Sequence, residues 1–193
     1  MEAQDAAVVA QVLAGDRDAY RVLVERHSRT IFKLGYRMMG NETDAEDVVQ
    51  ETLLRAYAKL SGFQFEASFR TWLCRIATNH CLDVIAKRKH ETEMPKVMDE
   101  ETEEVRDVDI AAEAPSPERV LLSTEARQAL RTAMDSLSAV ERAAFVLRHF
   151  ERCSIREISG TLRVSEGAAK QSICRAIRKI RKDLGPLVMG AAG

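Results

Sequence analysis

The chain predicts an all-α protein of two small helical domains joined by an acidic, flexible linker, and three observations predict it. Aromatics make up only 5% of the 193 residues, beside 9 Gly and 4 Pro, a composition that suits helices better than a β-sandwich. Helix-capping signals recur along both ends of the chain, and no stretch reads convincingly as a strand or as a repeat of fixed period. Charge divides the chain into three. Residues 1–90 carry 13 basic and 12 acidic side chains, residues 91–118 carry 2 and 11, and residues 119–193 carry 14 and 7, so net charges of +1, −9 and +7 sum to the −1 of the whole. The middle segment, "ETEMPKVMDEETEEVRDVDIAAEAPSPE", holds three of the four prolines and little apolar periodicity. Burial cannot offset its ordering entropy, so it reads as a linker between domains at 1–90 and 119–193.

Each helix has its own signals. A short helix covers residues 4–13. Asp16 caps a second helix that runs to "YRMMG", with Gly40 as its stop. Thr43 and Glu46 form a capping box for a third, which Gly62 ends. Ser68 caps the next, through about Lys89. Beyond the linker, Ser116 before Pro117 is an N-cap with proline at N1. Ser138 with Glu141 and Ser154 with Glu157 are two further boxes. Ser165 caps the last helix, and Gly185-Pro186 stops it.

The C-terminal pattern is a short helix, a tight turn at Leu162–Val164 and a longer helix, the layout of a helix-turn-helix. At 100° per residue, Ala169, Ile173, Ala176, Ile177, Ile180 and Leu184 form an apolar stripe, which leaves Gln171 and Ser172 off it. Gln171, Arg175, Arg178 and Lys182 lie opposite, with the small Gly167 and Ala168 near them at the helix start. Entering a major groove N-terminus first, Gln171 and Arg175 reach base edges, and Arg178 and Lys182 meet phosphates. A solvated amphipathic helix is the plain alternative; the turn, the second capped helix and the +7 charge favour DNA.

In the N-terminal half, "TDAEDVVQETLLRAYAKL" sets a core stripe of Val49, Leu53, Ala56, Tyr57 and Leu60 against a far side of Asp44, Asp47, Glu51 and Ala58, with Leu54 at its edge. Apolar surface beside a row of carboxylates is a protein-docking strip, although scattered exposed leucines are common. In "SGFQFEASFRTWLCRIATNHCLDVIAKRK" the buried stripe is Phe69, Leu73, Ile76, Ala77, His80 and Val84, with Trp72, Arg75, Asn79 and Asp83 on a side strip. Phe63 and Phe65 precede this helix, and Lys87, Arg88 and Lys89 end it. Aromatics offer unpaired bases a stacking platform, and cations follow the backbone. The bland account makes the aromatics core, which suits Trp72 and Phe69 better than Phe65.

Other classes find little support. No apolar run approaches the roughly 18 residues of a membrane span, and the acidic N-terminus lacks a secretory n-region, which points to the cytoplasm. Cys74, Cys81, Cys153 and Cys174 form no C-x-x-C pair, and His149 with Cys153 is two ligands short of a structural zinc site, so no metal and no cofactor are expected. Cys74 and Cys81, one heptad apart, are too distant for a disulfide. Phosphate-binding glycine loops and nucleophile–base constellations are missing, so no enzyme is expected.

The combination resembles bacterial sigma factors of the extracytoplasmic-function type over residues 15–90 and 120–184. "DAEDVVQETLLRAY" resembles the family's polymerase-docking segment, "FRTWLCRIATNHCLD" its promoter-melting and −10-reading segment, and "LSAVERAAFVLRHFERCSIREISGTLRVSEGAAKQSICRAIRKIRK" its −35-reading domain. The resemblance implies sigma domain 2 at 1–90 and sigma domain 4 at 119–193. It further implies docking on core RNA polymerase through Asp47, Gln50, Glu51 and Leu54. Contact with the −10 element would run through Phe63, Gln64, Phe65, Asn79, Lys87, Arg88 and Lys89. Contact with the −35 element would run through Gly167, Ala168, Lys170, Gln171, Arg175, Arg178 and Lys182. Promoter DNA and core RNA polymerase are the expected partners, together with a cognate anti-sigma factor, and no membrane insertion is expected. The last helix reads Lys170-Gln171-Ser172 where the family commonly has Lys-Ser-Arg. Roughly 17 base pairs at about 3.4 Å each set the two reading heads about 60 Å apart, which a 28-residue linker can span at up to about 90 Å. The main rival is a two-domain helix-turn-helix regulator that never joins polymerase, and a helical interaction protein with a basic tail explains least.

Overall fold

A computed structural model describes residues 2–93 and 128–190, with side chains for 4–92 and 128–184. Among the described residues there are eight α-helices and no strand: α1 (Glu2–Leu13), α2 (Tyr20–Met39), α3 (Glu42–Ala58), α4 (Phe69–Glu93), α5 (residues 128–135), α6 (Ala139–His149), α7 (Ile155–Leu162) and α8 (Glu166–Gly190), with a 3₁₀ turn at Leu60–Gly62. None of these helices is long and apolar enough to cross a membrane. Most of the linker, and the Ser116–Pro117 cap, lie outside the described residues.

Helices α2, α3 and α4 pack on one another as a three-helix unit, with α1 laid across it. Leu23, His27, Ile31, Leu34 and Met38 recur at three- and four-residue spacing along α2 and are all buried. His27 is tolerated there because Asp5 of α1, itself buried, lies 3.0 Å from its Nε2. Gly35 sits where α2 meets α3: a Cβ there would lie 3.1 Å from Val48 Cβ and 3.2 Å from the Ala45 Cα, so any side chain would press α3 away by a few tenths of an ångström. Gly40 ends α2 in the left-handed conformation, φ 85°, as a C-terminal glycine should.

Helices α5 to α8 form the second unit around Met134, Leu147, Ile158, Ile173 and Ile180. Both predicted capping boxes are present, Ser138 with Glu141 and Ser154 with Glu157. Ser165 Oγ accepts from the Ala168 amide at 3.2 Å and starts α8. The two units are in contact: α6 packs on α2 and α4, α7 on α4, and the buried apolar residues form one continuous cluster through both.

Several boundaries differ from those the sequence predicts. Asp16 accepts from the Ala19 amide at 3.2 Å and caps a turn ahead of α2, whose own N-cap, Ala19, has no side-chain bond. The cap of α3 is Asn41 rather than Thr43: its Oδ1 accepts from the Asp44 amide at 2.8 Å, and its Nδ2 donates to Asp44 Oδ2 at 2.7 Å. Asparagine caps as well as threonine, and its position directly after Gly40 lets the chain turn straight into α3. Helix α3 ends at Ala58, and Gly62 closes the 3₁₀ turn instead. Its core stripe is also rotated: Ala45, Val48, Thr52, Leu53 and Ala56 are buried, while Tyr57 is 41% exposed and Val49 only half-buried. Packing against α2 and α4 together shifts the buried face from where a single-face wheel puts it. Helix α4 runs on to Glu93, and α8 continues through Gly185 and Pro186 to Gly190. A helical proline loses one hydrogen bond, and the helix-forming Leu187 and Met189 carry α8 past it.

Candidate nucleic-acid and partner interfaces

The exposed side of α3 carries the acidic strip. Asp47 and Gln50 are exposed, Leu54 is 59% exposed, and Glu51 is half-buried and accepts from Arg55 Nε at 2.5 Å. These residues line a shallow depression with Asp44, His80 and Arg88. His80 is half-buried at this rim rather than packed in the core stripe, because α4 turns it towards the carboxylates. Burial and the nearby Arg55 hold its imidazole below the ordinary value, against the opposing pull of Glu51, Asp83 and Asp47. Spacing alone set His80 in the core, so its place beside the docking strip was not legible.

The loop between the 3₁₀ turn and α4 is built on packed aromatics. Phe63 is 7% exposed, with ring centroids 4.6 Å from Phe65, 5.1 Å from Trp72 and 5.5 Å from Phe69. Phe63 is therefore the foundation of the loop, and a base has no access to its face. Phe65 is 51% exposed and holds φ 55°, a left-handed conformation that costs an aromatic residue on the order of 1–3 kcal/mol. The loop spends that strain in presenting one ring to solvent. Gln64 and Glu66 flank it in the open, and Asn79 is half-buried on α4. At the far end of α4, Lys87 pairs loosely with Glu91 at 3.9 Å, and Lys89 is exposed. Arg88 is half-exposed and already paired: both its Nη atoms donate to Asp44, each at 2.6 Å.

In the second unit the turn between α7 and α8 is pinned at both ends. Arg163 takes φ 53° and ψ 45°, the Val164 amide donates to Ser159 O at 3.2 Å, and Ser159 Oγ donates to Val164 O at 2.9 Å. The predicted stripe of α8 is buried or half-buried throughout, and Gly167, Lys170, Gln171, Arg178 and Lys182 are exposed, with Ala168 half-buried. Gly167 has no packing reason to be glycine, since the nearest atom to an added Cβ would be Ser165 Oγ at 3.9 Å. Two placements differ from expectation. Ser172 is buried, so it belongs with the packed face. Arg175 is half-exposed, but its Nε lies 3.2 Å from Glu141 Oε1, and its Nη2 donates to Ser172 Oγ at 3.3 Å. Glu141 also accepts from Lys179 Nζ at 2.7 Å. Burial pulls the Glu141 carboxyl upward, but hydrogen bonds from Lys179 and Ser138 outweigh it and hold the group below the ordinary carboxylate range. Cys174, exposed and three residues from Gln171, shares the open face; the wheel that found Gln171 would also have found it.

All four cysteines are free, and among the described residues no group of His, Cys, Asp and Glu could hold a metal ion. The surfaces on offer are thus an acidic strip with an exposed leucine, a propped aromatic, and a basic helix face behind a tight turn.

Comparison with known proteins gives the same division. Residues 23–91 match the model of Sigma-70 region 2, and residues 127–180 that of Sigma-70 region 4. The chain is 32% identical over 179 residues to the ECF RNA polymerase sigma factor SigW of Bacillus subtilis (strain 168), covering 93% of this chain and 96% of that one. It is 30% identical over 184 residues to the ECF RNA polymerase sigma-E factor of Escherichia coli (strain K12), covering 95% and 96%. Its fold is similar to that of the sigma factor RpoE from Bartonella quintana, solved with the anti-sigma factor NepR, at a TM-score of 0.66 and 21% identity over 88% of this chain and 97% of that one. The chain belongs to the extracytoplasmic-function RNA polymerase sigma factors, promoter-recognising transcription initiation factors rather than enzymes.

Proposed function

We propose that the three surfaces divide the work of initiation between a first domain at 1–90 and a second at 119–193, joined by the acidic segment 91–118. The strip of Asp47, Gln50, Glu51 and Leu54 docks on core RNA polymerase: carboxylates steer it to a basic partner and the leucine buries on contact. Phe65, with Gln64 and Asn79, captures an unpaired base of the −10 element, while Lys87 and Lys89 follow the backbone. Phe63 supports Phe65 from below, and Arg88 acts by orienting Asp44. Helix α8 enters the major groove of the −35 element, where Gln171 reads a base edge, Gly167 and Ala168 allow close approach, and Lys170, Arg178 and Lys182 meet phosphates. Arg175 reaches DNA from its seat on Glu141, which sets the guanidinium's direction.

The observation that carries this reading is the exposed, left-handed Phe65 on its packed aromatic base. Strain held at an exposed ring is a mark of a binding element, and a duplex-only regulator has no use for it. An anti-sigma partner is part of the proposal, because the Bartonella quintana relative was solved with one. Work on polymerase and promoters puts the protein in the cytoplasm.

The test is transcription in vitro: purified chain, core polymerase and genomic promoter fragments, with transcript starts mapped. Specific starts that vanish with Phe65→Ala, polymerase binding being retained, are the expected result. Failure to bind core polymerase would sink the reading in favour of a duplex-binding regulator.

A further inference from the structure

Arg175 comes to the open face of α8 already held along one edge, and its main holder belongs to another helix. Glu141, in the first turn of α6, has a side chain only 7% exposed. Its own helix fixes the carboxylate: Oε2 accepts from the Ser138 amide at 3.0 Å, as half of the capping box. Lys179 Nζ donates to the same oxygen at 2.7 Å from α8. The other oxygen, Oε1, lies 3.2 Å from Arg175 Nε. Three residues back along α8, Ser172 Oγ accepts from Arg175 Nη2 at 3.3 Å. Ser172 is buried, and it is one of the two positions at which this chain departs from the Lys-Ser-Arg common in the family.

A guanidinium is a rigid plane with two donor edges. The side edge is formed by Nε and one Nη, and the end edge by the two Nη atoms. In Arg175 the side edge is taken, by Glu141 at Nε and by Ser172 at Nη2. The end edge, with one N–H from each Nη, is left for a ligand, on a side chain that is 53% exposed. Two parallel donors match the O6 and N7 acceptors of guanine in the major groove. They do not match adenine, which sets a donor beside its N7. An arginine without such a hold has phosphates as well as bases within reach, and phosphates carry no sequence information. Holding the side edge orders the plane before DNA arrives and closes that edge to a phosphate.

We propose that Glu141 and Ser172 are positioning residues for −35 reading: together they clamp the side edge of Arg175 and present its end edge to a guanine. Base preference at that position is then set from α6 as well as from α8. This rests on the reading of α8 as the −35 reader. A packing staple between α6 and α8 would use the same contacts, but it would supply stability, and affinity for every duplex alike. A clamp supplies discrimination between bases.

The full chain is used to select from a duplex library of randomised sequence. The winning duplex is then rebuilt with a guanine analogue lacking the N7 acceptor at each guanine in turn. The wild type should lose affinity about tenfold at one guanine, and Arg175→Ala should show no penalty there. Glu141→Gln keeps an acceptor for the Ser138 amide. It should erase most of the penalty, while affinity for random duplex rises with the loss of a negative charge beside phosphates. Ser172→Ala should erase part of the penalty. Lys179→Gln breaks the shorter pair on Glu141, leaves both Arg175 contacts in place and should keep the full penalty. If thermal unfolding shows that Glu141→Gln melts the second unit, Ser172→Ala carries the test. An undiminished penalty in the folded Glu141→Gln and Ser172→Ala chains would overturn the clamp. So would a uniform loss on all duplexes, or Lys179→Gln acting as Glu141→Gln does, since either marks a staple. A penalty that Arg175→Ala leaves in place would overturn it as well. If the wild type enriches no sequence, the reading of α8 fails and the clamp with it, whereas an enriched guanine with an undiminished penalty fails the clamp alone.

Discussion

Arg88 lays both Nη atoms against the two carboxylate oxygens of Asp44, each at 2.6 Å, and ties the end of α4 to the first turn of α3. The fork, with help from Asn41 and against the opposing pull of burial, holds the Asp44 carboxyl below the ordinary range. A carboxylate with a depressed folded pKa stabilises the fold above its unfolded value, near pH 4, and loses that contribution as pH falls through the lower folded value. Arg88 is more than half exposed, so solvent screening leaves about 0.5–1 kcal/mol. Arg88→Ala should cost that much at pH 7 and progressively less as pH falls below about 4, as measured by urea unfolding.

His27 titrates with the opposite chemistry and the same sign. Burial, only partly offset by Asp5, holds its imidazole below the ordinary value. Between the folded value and the unfolded value near 6.5 the unfolded chain binds the extra proton, so stability falls as pH drops below about 6.5. His27→Gln should lower stability at pH 7 and flatten its decline between pH 7 and 5. His80 and His149, also held low, keep some of the slope. An unaltered slope would place the titration elsewhere.

Phe63 and Phe65, neighbours in one loop, should separate cleanly on mutation. Phe63→Ala removes a buried ring and should destabilise the first unit by about 3–5 kcal/mol. Phe65→Ala removes an exposed ring and should change stability by less than about 0.5 kcal/mol, while reducing affinity for single-stranded −10 DNA by about 1–3 kcal/mol. Thermal unfolding and a fluorescence binding assay read the two effects independently.

Gly167 gives a case in which stability and function should move in opposite directions. Nothing in the fold requires glycine there, so Gly167→Ala should stabilise α8 by about 0.5 kcal/mol or more. The added methyl stands where the proposed groove contact is closest, so affinity for −35 duplex should drop. Higher melting temperature with unchanged DNA binding would remove Gly167 from the interface.

Local chemistry was legible in the chain. The helix class, the Ser138 and Ser154 boxes, the Ser165 cap, the Gly40 stop and the apolar stripe of α8 each depend on residues within a turn or two of one another. The open Gln171–Lys182 face and the acidic strip followed from the same periodicity. Tertiary structure decided which of the chosen side chains are free. Phe63 is covered because three other rings converge on it, Arg88 is taken by Asp44, 44 residues away, and Arg175 is seated on Glu141 from another helix. The rotation of the α3 stripe, which exposes Tyr57, comes from packing on two helices at once. The contact of Arg70 with Glu151 joins residues 81 positions apart across the linker. A helical wheel registers neighbours three and four apart, and the burial of a charge depends on partners that periodicity does not encode.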